Sequence, residues 1–204
     1  MKRLSFLYGP ACLLMLLFCA CHSREVSKKS LVRLVEHDHK FNQEQDVGGI
    51  KIRLQYIPYQ LMVAQELQGT GDGSRIATLE NKYKGQYYFK LYLSKNNKEI
   101  IRQLGGMGPY SDMVEILSFR LGEFVNATTE KRDTVSLADY AFEQDYGLSP
   151  ANTLLLAFPK KDFNASDRIT VNIGELGLGI GALQFDFKKG DLNGLPKLNY
   201  EHID

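Results

Sequence analysis

The sequence predicts a mainly β fold: an antiparallel β-sandwich of about seven strands with one or two short helices, preceded by a signal peptide and a polar tether. Three observations support this prediction. Apolar and polar residues alternate in several segments, as they do in half-buried strands. Clusters of Gly, Pro, Asn and Asp separate these segments. No regular series of helices lies between them, which favours antiparallel over parallel pairing.

The first predicted strand has the clearest pattern. Ile50, Ile52, Leu54 and Tyr56 alternate with polar residues, so one face of this strand is expected in the core. A short helix over residues 58–67 is expected next, because Pro is favoured at the first helical position. The predicted strands cover residues 50–56, 86–94, 113–121, 135–143, 153–158, 168–173 and 182–187.

Composition limits the classes of partner. The chain has 204 residues, of which 25 are basic and 24 acidic, and a formal net charge of +1. Such a balance gives no electrostatic support for binding nucleic acid. The three Cys residues all lie within the first 21 positions, which rules out a disulfide framework, a Cys zinc site and a thiol catalyst in the body of the chain.

The N-terminus has the pattern of a secretory signal peptide. Lys2 and Arg3 precede an uncharged run, residues 4–20, which Gly9 and Pro10 interrupt. The remaining apolar stretch, residues 11–20, is short for a membrane-spanning helix, which needs about 20 apolar residues. Residues 1–20 are therefore predicted to be a signal peptide.

The end of this run, Phe18-Cys19-Ala20-Cys21, resembles the lipobox of bacterial lipoproteins. The resemblance implies cleavage before Cys21 and a lipid bilayer as partner through acyl chains on Cys21. An uncleaved anchor helix and a signal cut without lipidation are the alternatives. Residues 56–67 together with Phe158-Pro159 also resemble Gram-negative cell-envelope lipoproteins, and this likeness implies no activity.

The domain boundaries follow from the change in pattern. Residues 21–47 are polar and are interpreted as the lipidated N-terminus and a tether, and residues 48–204 as the β-sandwich domain. The residues after Cys21, His-Ser-Arg-Glu, contain no acidic cluster resembling a surface-export signal. This favours the outer membrane with the domain facing the periplasm.

A glycine-rich segment, residues 174–181, superficially resembles a nucleotide-binding loop. Such a loop must open a helix whose N–H groups hold the phosphates. The residues that follow, 182–187, alternate as a strand instead, so no nucleotide is expected. The segment is interpreted as a glycine-lined strand that packs closely on another element, with a turn near Gly174 and a bulge near Ala182.

No catalytic, cofactor-binding or metal-binding residue is assigned. His37-Asp38-His39, beside Glu36, has donors suited to a metal, but a solvated polar stretch is the preferred interpretation. The chain contains no Gly-x-Ser-x-Gly and no His-Glu-x-x-His. Whether it is an enzyme stays open, with a non-enzymatic function favoured.

Two surface features are predicted. Tyr88 and Tyr92 lie opposite the predicted core face, with Lys90 between them, and an exposed aromatic surface of this kind can stack on sugars or peptides. A partly covered sheet face is the alternative. Asp133-Thr134-Val135 resembles the acceptor of an envelope O-glycosylation system, which makes Thr134 a candidate modification site.

The functional hypothesis is therefore a membrane-anchored envelope lipoprotein with an accessory or binding domain for an envelope protein or glycan. The alternative is a cell-wall or glycan hydrolase that uses a carboxylate pair. A cleft with two carboxylates about 5–10 Å apart would favour the hydrolase.

Overall fold

A computed structural model of the chain describes residues 25–67 and 72–201. Within these ranges the chain forms twelve strands and five α-helices. The predicted signal peptide, residues 1–20, and Cys21 lie outside the described residues. None of the helices in the described ranges has the length and apolarity needed to cross a membrane.

The strands are mostly short and distributed along the whole described chain. They are β1 (Glu25–Val26), β2 (Asn42–Val47), β3 (Ile50–Ile57), β4 (Gln86–Lys95), β5 (Lys98–Glu99), β6 (Val125–Thr128), β7 (Thr134–Ser136), β8 (Asp139–Glu143), β9 (Asn152–Pro159), β10 (Arg168–Ile173), β11 (Leu183–Lys188) and β12 (Lys197–Leu198).

These strands make two antiparallel sheets and one short parallel pair. The large sheet has the order β2-β3-β4-β9-β8, and β5 pairs with β4. The small sheet has the order β11-β10-β6-β7, and β1 pairs in parallel with β12. The prediction of a mainly β, antiparallel architecture is confirmed in outline, but the described residues form twelve strands in place of about seven and five α-helices in place of one or two.

The helices connect the strands and cover the sheets. They are α1 (Lys28–His37), α2 (Tyr59–Leu67), α3 (Gly73–Tyr83), α4 (Met107–Glu115) and α5 (Lys189–Asn193). A π-helical segment, Ile116–Arg120, continues α4, and single 3-10 segments occur at Ile100–Gln103, Leu121–Glu123 and Lys160–Phe163.

One face of each sheet contributes to a shared core. In the large sheet, Leu54 of β3 lies opposite Leu91 of β4, and both side chains are fully buried. The alternation seen in the sequence therefore corresponds to real inward and outward faces. The ring centroids of Phe89 on β4 and Phe187 on β11 are 4.9 Å apart, so apolar side chains of the two sheets touch.

Side chains also bridge the edges of the two sheets. Gln43 and Gln45 of β2 donate hydrogen bonds from Nε2 to the backbone oxygens of Asp186 and Gln184 in β11, each at 2.7 Å. These bonds satisfy carbonyls on an edge strand that has no further strand beside it.

Residues 25–47 are part of this fold, contrary to the prediction of a tether. The Ser27 side chain accepts a hydrogen bond from the Ser30 backbone N–H and caps α1. On α1, Leu31 and Val35 are fully buried, as their spacing of four residues along a helix allows. The strand β2 then pairs along its whole length with β3.

The prediction of a strand over residues 113–121 was also wrong. This segment is the end of α4 and the π-helical turn that follows it. Met113, Leu117 and Leu121 are buried, and their spacing of four residues is the helical period. In this segment apolar residues occupy both the odd and the even positions. The sequence therefore contains no apolar/polar alternation that would distinguish a strand from a helix.

Two further elements differ from the prediction. The segment predicted as one strand over residues 135–143 is two strands, β7 and β8, which belong to different sheets. The helix α3 was not predicted, although Asp72 caps it by accepting the Arg75 N–H at 2.8 Å. Together α2 and α3 cover part of the outer face of the large sheet, where Ile57 and Tyr88 are buried.

Candidate functional site

A cavity of about 530 Å³ lies between α1, α2 and the outer face of the large sheet. Its volume falls within the range of small-molecule sites. The lining residues come from three elements. They are Lys28, Val32, Val35 and Glu36 of α1; Gln55, Ile57, Lys90 and Tyr92 of the sheet; and Leu61, Ala64 and Gln65 of α2.

The α1 wall is one continuous stripe. Lys28, Val32 and Glu36 are spaced by four residues, so they lie above one another on the same face of the helix. At 1.5 Å per residue, the backbone positions of Lys28 and Glu36 are about 12 Å apart along the helix axis. The stripe therefore places a cation at one end of the cavity and an anion at the other.

Neither of these two charges is neutralised by a neighbour. Lys28 and Glu36 form no ion pair with any other residue in the part of the chain that the structure describes. Lys90, by contrast, lies with its Nζ 3.3 Å from Oε1 of Glu143, and its side chain is 28% exposed. The uncompensated charges of the cavity are thus those on α1.

The floor of the cavity is polar. Gln55, only 5% exposed, accepts a hydrogen bond at 3.3 Å from the Tyr92 hydroxyl through Oε1. Its Nε2 makes no hydrogen bond to another described residue. This nitrogen is not buried away from solvent, so it is free to donate a hydrogen bond to a ligand in the cavity.

The Tyr92 hydroxyl remains protonated at neutral pH. Burial raises the pKa of Tyr92, the cations Lys90 and Arg53 lower it, and the carboxylates Glu143 and Glu36 raise it further, with a net increase. The Arg53 guanidinium carbon lies 3.9 Å from the centroid of the Tyr92 ring. This stacking fixes the ring, so its hydroxyl is a positioned donor to Gln55.

The remaining walls are apolar. Val32 on α1, Ile57 on β3 and Leu61 on α2 line the cavity, as do the buried side chains of Ala64 and Val35. The cavity therefore combines an apolar middle, two amide side chains and opposite charges at its ends. Such a lining suits an elongated ligand that has both apolar and polar groups.

Three further cavities on the described surface also lack a pair of carboxylates. Glu99 lines one of them, is buried, and accepts a hydrogen bond from Arg102 Nε at 2.8 Å. Across the four cavities, each lining contains at most one carboxylate. The convergent pair expected for a glycan hydrolase is absent from these four sites.

The two predicted surface tyrosines have different positions. Tyr88 is buried, with 7% of its surface exposed, so its assignment to an exposed aromatic surface was wrong. Its ring lies 6.0 Å from that of Tyr83 on α3, a helix that sequence reasoning missed. Tyr92 is half-buried and lines the cavity. The sheet face is thus partly covered, which is the alternative that the sequence left open.

The other candidate residues that the structure describes do not line the cavity. Thr134 is exposed on β7, an edge strand of the small sheet, so its hydroxyl is accessible to modification. Cys21 lies outside the described residues. His37 Nδ1 lies 3.0 Å from the Arg33 backbone oxygen, and His39 is exposed beside Asp38. In the described ranges no group of three or more His, Cys, Asp or Glu side chains is placed to hold a metal.

The glycine-rich segment is a loop and not the strand that the sequence suggested. Gly177, Gly179 and Gly181 all have positive φ, which side chains with a Cβ rarely adopt. Their loop wraps around Glu175, whose carboxylate accepts hydrogen bonds from the backbone N–H groups of Leu178, Gly179 and Gly181 at 2.6, 2.8 and 2.6 Å. The donors that a phosphate would need are already bonded to this carboxylate.

Sequence reasoning missed the cavity because it depends on α1. A signal was present, since Leu31 and Val35 on one side of α1 and Lys28, Val32 and Glu36 on another are spaced as on a helix.

Comparison with family models, with curated proteins and with solved structures finds no match for this chain.

Proposed function

We propose that this protein is a membrane-anchored lipoprotein of the cell envelope, whose folded domain binds a ligand in the cavity between α1, α2 and the large sheet. The observation that carries the binding function is the cavity itself, with an unpartnered amide in its floor and uncompensated charges at its ends. A hydrolase is not proposed, because none of the four cavities described has more than one carboxylate in its lining.

The membrane anchor is Cys21. The supporting evidence is the resemblance of residues 18–21 to a lipobox. Because β1 begins at Glu25, only four positions after Cys21, an extended chain places the domain within about 14 Å of the acylated residue. In this arrangement the domain lies close to the bilayer. The sequence His-Ser-Arg-Glu after Cys21, which has no acidic cluster, favours the periplasmic face of the outer membrane.

The scaffold in this proposal is an antiparallel β-sandwich formed by the large and small sheets. The contact between Phe89 and Phe187 supports it, because sandwich sheets interdigitate side chains of their inner faces. The hydrogen bonds from Gln43 and Gln45 to β11 support it at the edge. The helices α1 and α2 then cover the outer face and leave the cavity between them.

The binding function is tested by filling the cavity. The full chain, reconstituted in lipid nanodiscs, is screened by thermal denaturation against a library of small apolar and amide-containing fragments. Ligands that bind the native state raise the melting temperature. We expect some fragments to raise it for the native chain and to lose that effect in Val32→Phe, since Val32 lines the cavity.

The matched control is Leu34→Phe. Leu34 lies on the same helix, is 36% exposed and does not line the cavity. This variant should keep the fragment shifts of the native chain. Equal loss of the shifts in both variants, or the absence of any shift in the native chain, would contradict a binding function for this cavity.

A further inference from the structure

The spacing of Lys28 and Glu36 along α1 indicates the length of a ligand that would reach both charges. Their backbone positions are about 12 Å apart along the helix axis. An extended peptide spans about 3.3–3.6 Å per residue, so three or four residues cover this distance. A peptide of this length with free termini has a carboxylate at one end and an ammonium group at the other.

The side chains between the two charges suit a peptide backbone. Gln55 lies in the floor, and Gln65 lies on the α2 wall. A glutamine amide has both a donor and an acceptor, as does each peptide unit of a ligand. Val32, Ile57 and Leu61 surround the same space and provide apolar contacts for the ligand's side chains.

Resting on the proposed function, we propose that the ligand is a short apolar peptide of three or four residues with both termini free. Its carboxylate pairs with Lys28 and its ammonium group with Glu36, while Gln55 Nε2 donates to a backbone carbonyl. The bound peptide thus runs, from its N-terminus to its C-terminus, antiparallel to α1. No covalent step is involved.

A lipid fits the same lining less well. The anionic head of a lipid would find Lys28, but its acyl chain would then have to lie against Glu36 and the polar floor at the other end. Glu36 is exposed to solvent, and an acyl chain lying against it would remove water from the carboxylate without giving it a partner, which costs free energy. Charge complementarity at both ends therefore favours a ligand with two opposite charges.

The absence of tryptophan from this chain provides a direct assay. The fluorescence anisotropy of the peptide Leu-Trp-Leu is measured against the full chain reconstituted in lipid vesicles, which contain no other protein, so every tryptophan signal comes from the peptide. Acetylation of the N-terminus and amidation of the C-terminus should each weaken binding about two- to fivefold, as expected for partly exposed ion pairs. Equal affinities of the free and capped peptides would overturn the proposal.

Reversing the charge of Lys28 or of Glu36 tests which terminus of the peptide each residue binds. Lys28→Glu should weaken binding of the free peptide but make little further difference to the amidated peptide, because the two changes remove the same interaction. Glu36→Lys should behave in the same way with the acetylated peptide. The control is Lys29→Glu, which changes the net charge equally next to Lys28 but does not line the cavity. A control that weakens binding as much as Lys28→Glu would also overturn the proposal.

The outcomes separate this inference from the function on which it rests. If fragments bind in a manner that Val32→Phe abolishes, but no peptide binds, then the binding function stands and the peptide class is wrong. If a lysophospholipid binds and the peptides do not, then the ligand is a lipid and the proposal fails. If neither fragments nor peptides bind, both proposals fail.

Discussion

At the scale of single residues, adjacent residues of the same strand differ in how deeply their side chains are buried. Leu54 and Leu91 lie opposite each other in the core, whereas Arg53 and Lys90 lie on the outer face and are half-buried. Arg53 stacks on Tyr92, and Lys90 pairs with Glu143. The four residues therefore test which interactions stabilise the large sheet.

Leu54→Ala or Leu91→Ala should lower the free energy of unfolding by about 2–5 kcal/mol, the usual range for a large side chain removed from a core. Arg53→Ala and Lys90→Ala should each cost no more than about 1 kcal/mol, as expected for an exposed cation–π contact or ion pair. Urea denaturation of the four variants measures these differences. Similar losses at all four positions would contradict the assignment of the two faces.

Glu175 shows how a single carboxylate organises a loop. Desolvation raises the pKa of this carboxyl group, but the backbone N–H groups of Gly181, Gly179 and Leu178 lower it more, so the folded-state pKa lies below the ordinary value. A group of this kind stabilises the fold fully above its unfolded pKa. The stabilisation is lost as the pH falls through the folded pKa.

Glu175→Gln should therefore lower the free energy of unfolding by about 1 kcal/mol at neutral pH, because one charged acceptor becomes a donor that faces other donors. The difference between variant and native chain should shrink as the pH is lowered below the carboxyl range. Thermal denaturation across a pH series measures it. A difference that stays constant down to acidic pH would mean that the loop does not depend on the charge.

At the scale of elements, α1 has the largest consequences. A tether would contribute nothing to stability, whereas α1 buries Leu31 against Ala64 and Leu198. Leu31→Ala should cost about 2–5 kcal/mol, and Leu34→Ala on the exposed side should cost less than about 1 kcal/mol. Urea denaturation compares the two, and an unchanged stability of Leu31→Ala would restore the interpretation of residues 25–47 as a spacer.

The sequence predicted strands and helices well where a segment had one clear hydrophobic pattern. The strands β3, β4, β10 and β11 were predicted within a few residues from their alternation, and the helix α2 from its proline start. The strand β9 was predicted as a short apolar segment without alternation. Residues 113–121 were wrongly assigned to a strand, because apolar residues occupy both their odd and their even positions. The two-residue strands β1, β5 and β12 exist only through their partners, which no local pattern indicates.

The candidate site was only partly predictable, for a related reason. Tyr92 and Lys90 were identified as an outward-facing pair, and both line the cavity. The walls around them come from α1 and α2, and the position of a helix over a sheet depends on contacts distant in sequence, such as that between Leu31 and Leu198. Tyr88 was misjudged for the same reason, since α3 covers it.

At the scale of the whole molecule, the start of the described chain is the point where the proposed membrane anchor would join the fold. Because β1 pairs with β12 and α1 follows directly, the start of the described chain is held against the domain. The Lys28 end of the cavity is therefore the end close to Cys21 in sequence. An acylated Cys21 would bring this end of the cavity near the bilayer surface.

Lipidation at Cys21 is the prediction on which this arrangement depends. Growth with a clickable palmitate analogue should label the native chain, and Cys21→Ser should abolish the label, because a thioether to the lipid requires the Cys sulfur. Cys19→Ser is the matched control and should retain the label, since Phe18 before Cys19 occupies the place where a lipobox has a small residue. The Cys21→Ser chain should also lose its association with outer-membrane vesicles on flotation, because acyl chains contribute about 0.8 kcal/mol per buried CH₂ to membrane binding. Labelling that persists in Cys21→Ser, or that disappears in Cys19→Ser, would show that the anchor has been placed at the wrong residue.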